Sequence, residues 1–282
     1  HVARIDHVGA VPVVAVPAAH PRQVRPGALG APLEGVVVHG LGGQGVVPVA
    51  LLLVPERTHH LRVAEVAALT LVDVAAGQLQ TGVGADAVAA MTPFFLKPSQ
   101  DELVQYYADM AANTNLPVMA YNNPARTGVE LPPVTVARLA AQVPNFDGIK
   151  DSSGDLTQLA EYVRLCPPDF RAFIGRDSLI YGALMYGAAG AVAATANVAA
   201  PLAVGIYDAV QAGDLDRARE LQRKLAPVRM AFGLGTFPVV IKEAMGMIGL
   251  PVGPARAPVG PMSEQARVKL HDALEQAGLL QQ

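Results

Sequence analysis

Lys150 closes the run Phe146-Asp-Gly-Ile-Lys150, a short apolar segment that reads as a buried strand delivering an amine to the end of a parallel sheet. Lysine is almost never fully buried unless paired. Burial disfavours an ammonium, so a lysine sheltered at such a strand end is suited to supply the neutral amine that a Schiff base requires. Tyr121 ends a second run of this kind, Leu116-Pro-Val-Met-Ala-Tyr121, and offers a phenol for proton transfer. The plainer alternative is a lysine whose head group snorkels to solvent and a tyrosine that caps a core. These two positions alone leave both readings open.

Where the two side chains meet depends on the elements that carry them. From about Gly77 to Ala199, short β-branched runs alternate with segments of helical period, the pattern of βαβ units and a parallel sheet. Strands are expected over 78–84, 87–92, 116–121, 146–150, 171–174 and 190–194, with helices over 99–112, 132–142, 156–165 and 177–186 between them. Ser99 followed by Glu102 has the spacing of a capping box. Upstream, 11–16 and 35–38 read as two further strands and 55–75 as a helix, which brings the strands to eight, enough to close a barrel. After Ala212 the strand signal stops and helical segments follow near 214–232, 237–248 and 263–276. The expected division is a barrel over 1–212 that carries the chemistry and a helical appendage over 213–282.

Two stretches break the pattern. A barrel needs its first helix over 20–33, where the chain offers Pro21, Pro26, Gly27, Gly30 and Pro32. The strand expected over 78–84 runs almost directly into the one beginning at Ala87, and a parallel pair needs a crossover of about a dozen residues or more. Either a helix is missing there or one of the two strands lies elsewhere.

Composition narrows the function. Hydrophobic residues make up 51% of the 282 and charged ones 16%, which argues against long disordered stretches, while 27 glycines and 23 prolines imply many turns. A net charge of −3 provides no basic footprint for nucleic acid and no polybasic patch for a membrane surface, so a small-molecule substrate is expected. No apolar run reaches the roughly 18 residues of a spanning helix, and the first residues lack a basic-then-apolar signal pattern, so a cytoplasmic setting is expected. Cys166 stands alone, which excludes disulfide staples and a cysteine-based metal site. His59 and His60 occupy adjacent helical positions that face different ways, and Gly42-Gly43-Gln44-Gly45 lacks the Lys-Ser/Thr of a phosphate loop. Neither a metal nor a cofactor is expected.

Taken with their neighbours, the two strand ends become specific. Tyr121-Asn-Asn-Pro-Ala-Arg-Thr-Gly128 and Gly148-Ile-Lys-Asp-Ser-Ser-Gly-Asp155 resemble the motifs of the dihydrodipicolinate synthase and N-acetylneuraminate lyase family. The likeness continues, in the expected order, through Thr92-Pro-Phe-Phe-Leu-Lys-Pro-Ser-Gln100, Gly175-Arg-Asp177, Gly187-Ala-Ala-Gly-Ala-Val192, Thr195-Ala-Asn-Val198 and Arg256-Ala-Pro258. This resemblance implies an α/β fold, a (β/α)8 TIM barrel with a C-terminal helical domain, commonly a homotetramer, acting on pyruvate or a related 2-oxo acid through a lysine imine. It implies Lys150 as the covalent residue and Tyr121 as the proton carrier, with Gly175 and Ala193 among the substrate-binding positions.

Arg126, in the loop after Tyr121, is similar to the arginine that dihydrodipicolinate synthases use for aspartate semialdehyde, and its planar guanidinium suits a carboxylate. Gly40-Leu-Gly-Gly-Gln44 stands where the family has a Gly-Thr-Thr-Gly-Glu loop. The backbone N–H groups of Gly42 and Gly43 can still cradle a carboxylate there, although the threonine hydroxyl that relays protons is lost. Phe95 is a second departure, since synthases place a tyrosine at this position. The resemblance therefore points first to condensation of pyruvate with aspartate semialdehyde. Aldolases or dehydratases of 4-hydroxy-2-oxoglutarate or of 2-keto-3-deoxy sugar acids remain as competitors, and an inactive relative that only binds a 2-oxo acid is the reading of another class.

Overall fold

A computed structural model describes residues 14–16, 49–52, 61–66 and 87–280. Its eight strands are β1 (Val14–Val16), β2 (Val49–Leu52), β3 (Leu61–Val66), β4 (Ala87–Met91), β5 (Val118–Asn122), β6 (Phe146–Asp151), β7 (Arg171–Ile174) and β8 (Gly190–Ala193), and they close into a barrel in chain order. From β3 to β8 each strand pairs in parallel with the next, and the curled sheet β4 to β8 is the half-barrel that positions the candidate site.

The N-terminal part departs from the wholly parallel arrangement expected of a (β/α)8 barrel. β2 and β3 pair antiparallel, because the stretch 53–60 between them is too short for a crossover. β1 runs parallel to β2, and a closed ring of strands must reverse direction an even number of times, so β1 meets β8 antiparallel. The helix expected over 55–75 is corrected as well, since 61–66 within it forms β3. This strand is the parallel neighbour of β4, and 67–86 lies between them, long enough for the crossover that the expected arrangement lacked. The strands expected over 35–38 and 78–84, and the break over 20–33, lie outside the described residues.

The helices around the half-barrel follow their caps. In α1 (Gln100–Ala112), the Ser99 hydroxyl accepts from the Glu102 N–H while the Glu102 carboxylate accepts from the Ser99 N–H, completing the capping box. A single helical turn, α2 (Pro124–Thr127), follows β5, and α3 (Pro133–Gln142) and α4 (Leu156–Leu165) flank β6, the latter capped by Asp155. A 3-10 turn at Asp177–Leu179 leads into α5 (Ile180–Met185). After β8 comes α6 (Ala196–Gln211). Pro201 reads as a breaker, yet the helix kinks at Ala199 and Pro201 sits in the turn beyond, where a missing N–H is tolerated. α7 (Leu215–Ala231), α8 (Val239–Met247) and α9 (Glu264–Gln276) complete the described chain. None of these helices is long and apolar enough to cross a membrane.

Side chains alternate across each strand, so two apolar clusters result. Ala87, Ala89, Met119, Phe173 and Val192 fill the barrel interior. Val88, Ala90, Val118, Ala120, Ile149 and Ile174 face the helices, in a larger core continuous with α7, α8 and α9. A buried polar knot ties that helical part to the barrel end. Asp177 Oδ1 accepts from the Thr195 N–H (2.7 Å) and hydroxyl (2.6 Å), and its Oδ2 lies 3.2 Å from Arg229 Nε on α7. Gln222, also on α7, donates to the Asp177 carbonyl at 2.9 Å.

Candidate active site

The register of β5 against β6 sets Tyr121 opposite Lys150 and Asn122 opposite Asp151. One pair therefore faces the barrel interior and the next faces the helices. Lys150 shares the interior face with its other neighbour, Phe173 of β7. It is only 6% exposed, and its Nζ stands 3.7 Å from the centre of the Tyr121 ring. The side chain thus folds over the phenol instead of extending to solvent. The Tyr121 hydroxyl accepts a hydrogen bond from Asn123 Nδ2 at 3.0 Å.

Two glycines let neighbouring strands close around this pair. A Cβ on Gly148 would meet the Arg171 carbonyl at 2.7 Å, so the close approach of β6 to β7 depends on its absence. A Cβ on Gly175 would stand 2.0 Å from Ser152 Oγ, and the Gly175 N–H donates to the Asp151 carbonyl at 2.6 Å. Gly148 lies on β6 two residues before Lys150, and Gly175 packs against Ser152 two residues after it.

Behind the pair lies a buried polar network. Asn122 is fully buried; its Nδ2 donates to Asp151 at 2.7 Å and its Oδ1 accepts from the Leu131 N–H at 3.1 Å. The Ser153 hydroxyl donates to the other Asp151 oxygen at 2.6 Å. Burial pushes the Asp151 carboxyl above its ordinary range, and the hydrogen bonds from Ser153 and Asn122 oppose that rise. Tyr162 donates to the Leu131 carbonyl and accepts from Gln158 Nε2 at 2.6 Å, and burial raises its phenol strongly.

The remaining expected positions are placed less uniformly. Arg126 is exposed, and it stands on the turn α2 rather than in an irregular loop, at the same sheet end as Tyr121. Ala193 is buried in the helix-facing core, so its side chain points away from the interior and only its backbone remains for a ligand. Phe95 is 91% exposed with φ of 73°, at the mouth of β4. Gly42, Gly43 and the pair His59-His60 lie outside the described residues. Sequence reasoning passed over the partnership of Asn122 with Asp151 and of Asn123 with Tyr121. The signal was present in the doublet Asn122-Asn123, since consecutive residues at a strand end serve opposite faces.

A model of the dihydrodipicolinate synthetase family matches residues 63–277. The chain belongs to this family. The match takes in Tyr121, Arg126, Lys150, Gly175 and Ala193, and begins after Gly42 and Gly43. Among its relatives, the 4-hydroxy-tetrahydrodipicolinate synthase of Methanopyrus kandleri is 36% identical over 198 residues, 70% of this chain and 66% of the relative. That of Methanothrix thermoacetophila is 39% identical over 192 residues, 68% and 65% of the two chains. This chain thus spans just under two thirds of the length of these relatives. The crystal structure of dihydrodipicolinate synthase from Thermotoga maritima is similar with a TM-score of 0.74 at 31% identity, covering 77% of this chain and 75% of that one. YagE, an E. coli K12 prophage protein belonging to the dihydrodipicolinic acid synthase family and crystallised in complex with pyruvate, gives 0.73 at 29% identity over 77% and 75%. The resemblance carried by the strand-end motifs and the dihydrodipicolinate synthetase family match therefore agree.

Proposed function

We propose that this chain is a lyase of the class I aldolase type that forms a Schiff base between Lys150 and pyruvate and condenses it with aspartate semialdehyde, as a 4-hydroxy-tetrahydrodipicolinate synthase does. The observation that carries the reading is the buried Lys150 amine over the Tyr121 phenol at the mouth of a parallel sheet, in a chain 36 to 39% identical to proteins of that name. Lys150 Nζ attacks the ketone carbon of pyruvate, and the carbinolamine loses water to give an imine. The imine withdraws electrons, the methyl group loses a proton, and the resulting enamine carbon bonds to the aldehyde carbon. Water then releases the product and restores the amine. Tyr121 carries protons to and from the carbinolamine and the new hydroxyl. Arg126 on α2 grips the carboxylate of the aldehyde, and Gly175, the Ala193 backbone, Gly42 and Gly43 complete the substrate pocket.

The same reading takes 1–212 as the catalytic barrel, 213–282 as a helical domain, and the working protein as a cytoplasmic homotetramer. The exposed run Phe94, Phe95 and Leu96, 56%, 91% and 71% accessible, supports association through the β4 rim. A second reading is favoured by Phe95 itself, which has no hydroxyl to pass a proton: cleavage of 4-hydroxy-2-oxoglutarate or of a 2-keto-3-deoxy sugar acid through the same imine. Mass spectrometry after pyruvate and borohydride tests the shared step. A reduced pyruvate adduct on Lys150, absent from Lys150→Ala, is expected, and an unmodified wild-type protein would leave only 2-oxo acid binding. Turnover with each candidate substrate then separates synthase from aldolase.

A further inference from the structure

We propose that Asn123 is a positioning residue that sets the direction of the Tyr121 hydroxyl, a role that rests on the imine-forming reading of Lys150. Asparagine at a helix start ordinarily caps it with its side chain. Asn123 precedes α2, yet its side chain makes no capping bond there. The turn is held without it: the Asn123 carbonyl accepts from the N–H groups of Arg126 (2.9 Å) and Thr127 (3.0 Å). Thr127 is clamped in turn by the buried Thr92 hydroxyl at 3.1 Å. The amide is thus spared from supporting the backbone, and its Nδ2 reaches the Tyr121 oxygen at 3.0 Å.

An amide nitrogen can only donate, so the phenol oxygen accepts and its own proton must point elsewhere. With Lys150 Nζ over the same ring at 3.7 Å, the space beside the amine is where that proton acts. Donation also favours the phenol oxygen whenever negative charge builds on it. An amide neither gains nor loses protons near neutral pH, so Asn123 orients the proton carrier and is not itself a relay.

Asn123→Asp separates this role from a turn role, because aspartate keeps the shape and the helix-start preference while replacing the donor by an acceptor. The rate at which pyruvate methyl protons exchange in deuterium oxide, followed by NMR, needs no knowledge of the aldehyde. We expect the maximal exchange rate of Asn123→Asp to fall about tenfold while the half-saturating pyruvate concentration stays within about twofold. Asn123→Ser, a shorter donor, is expected to exchange faster than the aspartate variant. An aspartate variant as fast as wild type, or a serine variant no faster than the aspartate one, overturns the proposal. Borohydride trapping of pyruvate on wild-type Lys150 reports separately on the underlying reading, so the two failures are distinguishable.

Discussion

Asn122 and Asp151 face each other across β5 and β6, one residue beyond Tyr121 and Lys150, with the amide nitrogen 2.7 Å from the carboxylate. This bond ties the two strands together at the level of the candidate site. Burial holds the Asp151 carboxyl above its ordinary 3.8 despite the hydrogen bonds it accepts. A group whose proton affinity is raised on folding contributes stability that is complete below the unfolded value and is lost as pH rises through the folded value. Asp151→Asn stays neutral throughout. Urea unfolding of both proteins from about pH 4 to about pH 7 should therefore show the stability difference shifting toward the variant as pH rises. A flat difference, or one moving the other way, would mean that the hydrogen bonds outweigh burial.

Gly175 is the tightest point between the ends of β6 and β7, with Ser152 Oγ 2.0 Å from where a Cβ would stand. The obstacle is a short side chain on a strand end, with the Asp151 carbonyl 3.1 Å away, so little can yield. Gly175→Ala is expected to lower stability by about 1–3 kcal/mol, as overpacking does, and to disturb Lys150 through β6. Removing the serine side chain in the double variant with Ser152→Gly should restore part of that loss. Denaturant midpoints for the four proteins of this cycle decide the matter, and strictly additive losses would show that Ser152 is not the obstacle.

Much of this arrangement was legible from residue types. A polar residue ending an apolar run marked β5 and β6, and Ser99 with Glu102 marked the start of α1. Other elements depended on information that local pattern does not contain. Leu61-Arg-Val-Ala-Glu-Val66 suits a helix or a strand, and the need for a parallel neighbour to β4 with room for a crossover decides it. The side of the sheet on which Ala193 falls turns on a register of one residue, which a motif cannot supply. The partner of the Asn123 amide is a matter of side-chain direction, and its identity as a turn residue concealed it.

The knot at Asp177 links three elements, and Arg229 joins Gln222 as a contribution from α7. Asp177 is 3% exposed while the arginine is 25% exposed, so the pair is buried on one side only. Arg229→Ala leaves the buried carboxylate with its two Thr195 donors, and a partly uncompensated buried charge is costly. A loss of about 2 kcal/mol is expected, discounted for the solvent that reaches the arginine. Thermal unfolding should show it. A variant as stable as wild type would place the strength of the latch in Gln222 and apolar packing.

Tyr121→Phe removes one oxygen and leaves the ring in place beneath Lys150 Nζ, 3.7 Å from its centre. The ring face against which Lys150 Nζ lies is retained, so the lysine should keep its position, while borohydride should fix a pyruvate adduct on it more slowly, because the hydroxyl also serves the carbinolamine. Proton transfer is the step that suffers. General acid and base groups of this kind contribute about 10²- to 10⁴-fold, so turnover and pyruvate methyl exchange should fall within that range. Trapping at the wild-type rate would confine the hydroxyl to the steps after the imine, and undiminished turnover would remove Tyr121 from the chemistry altogether.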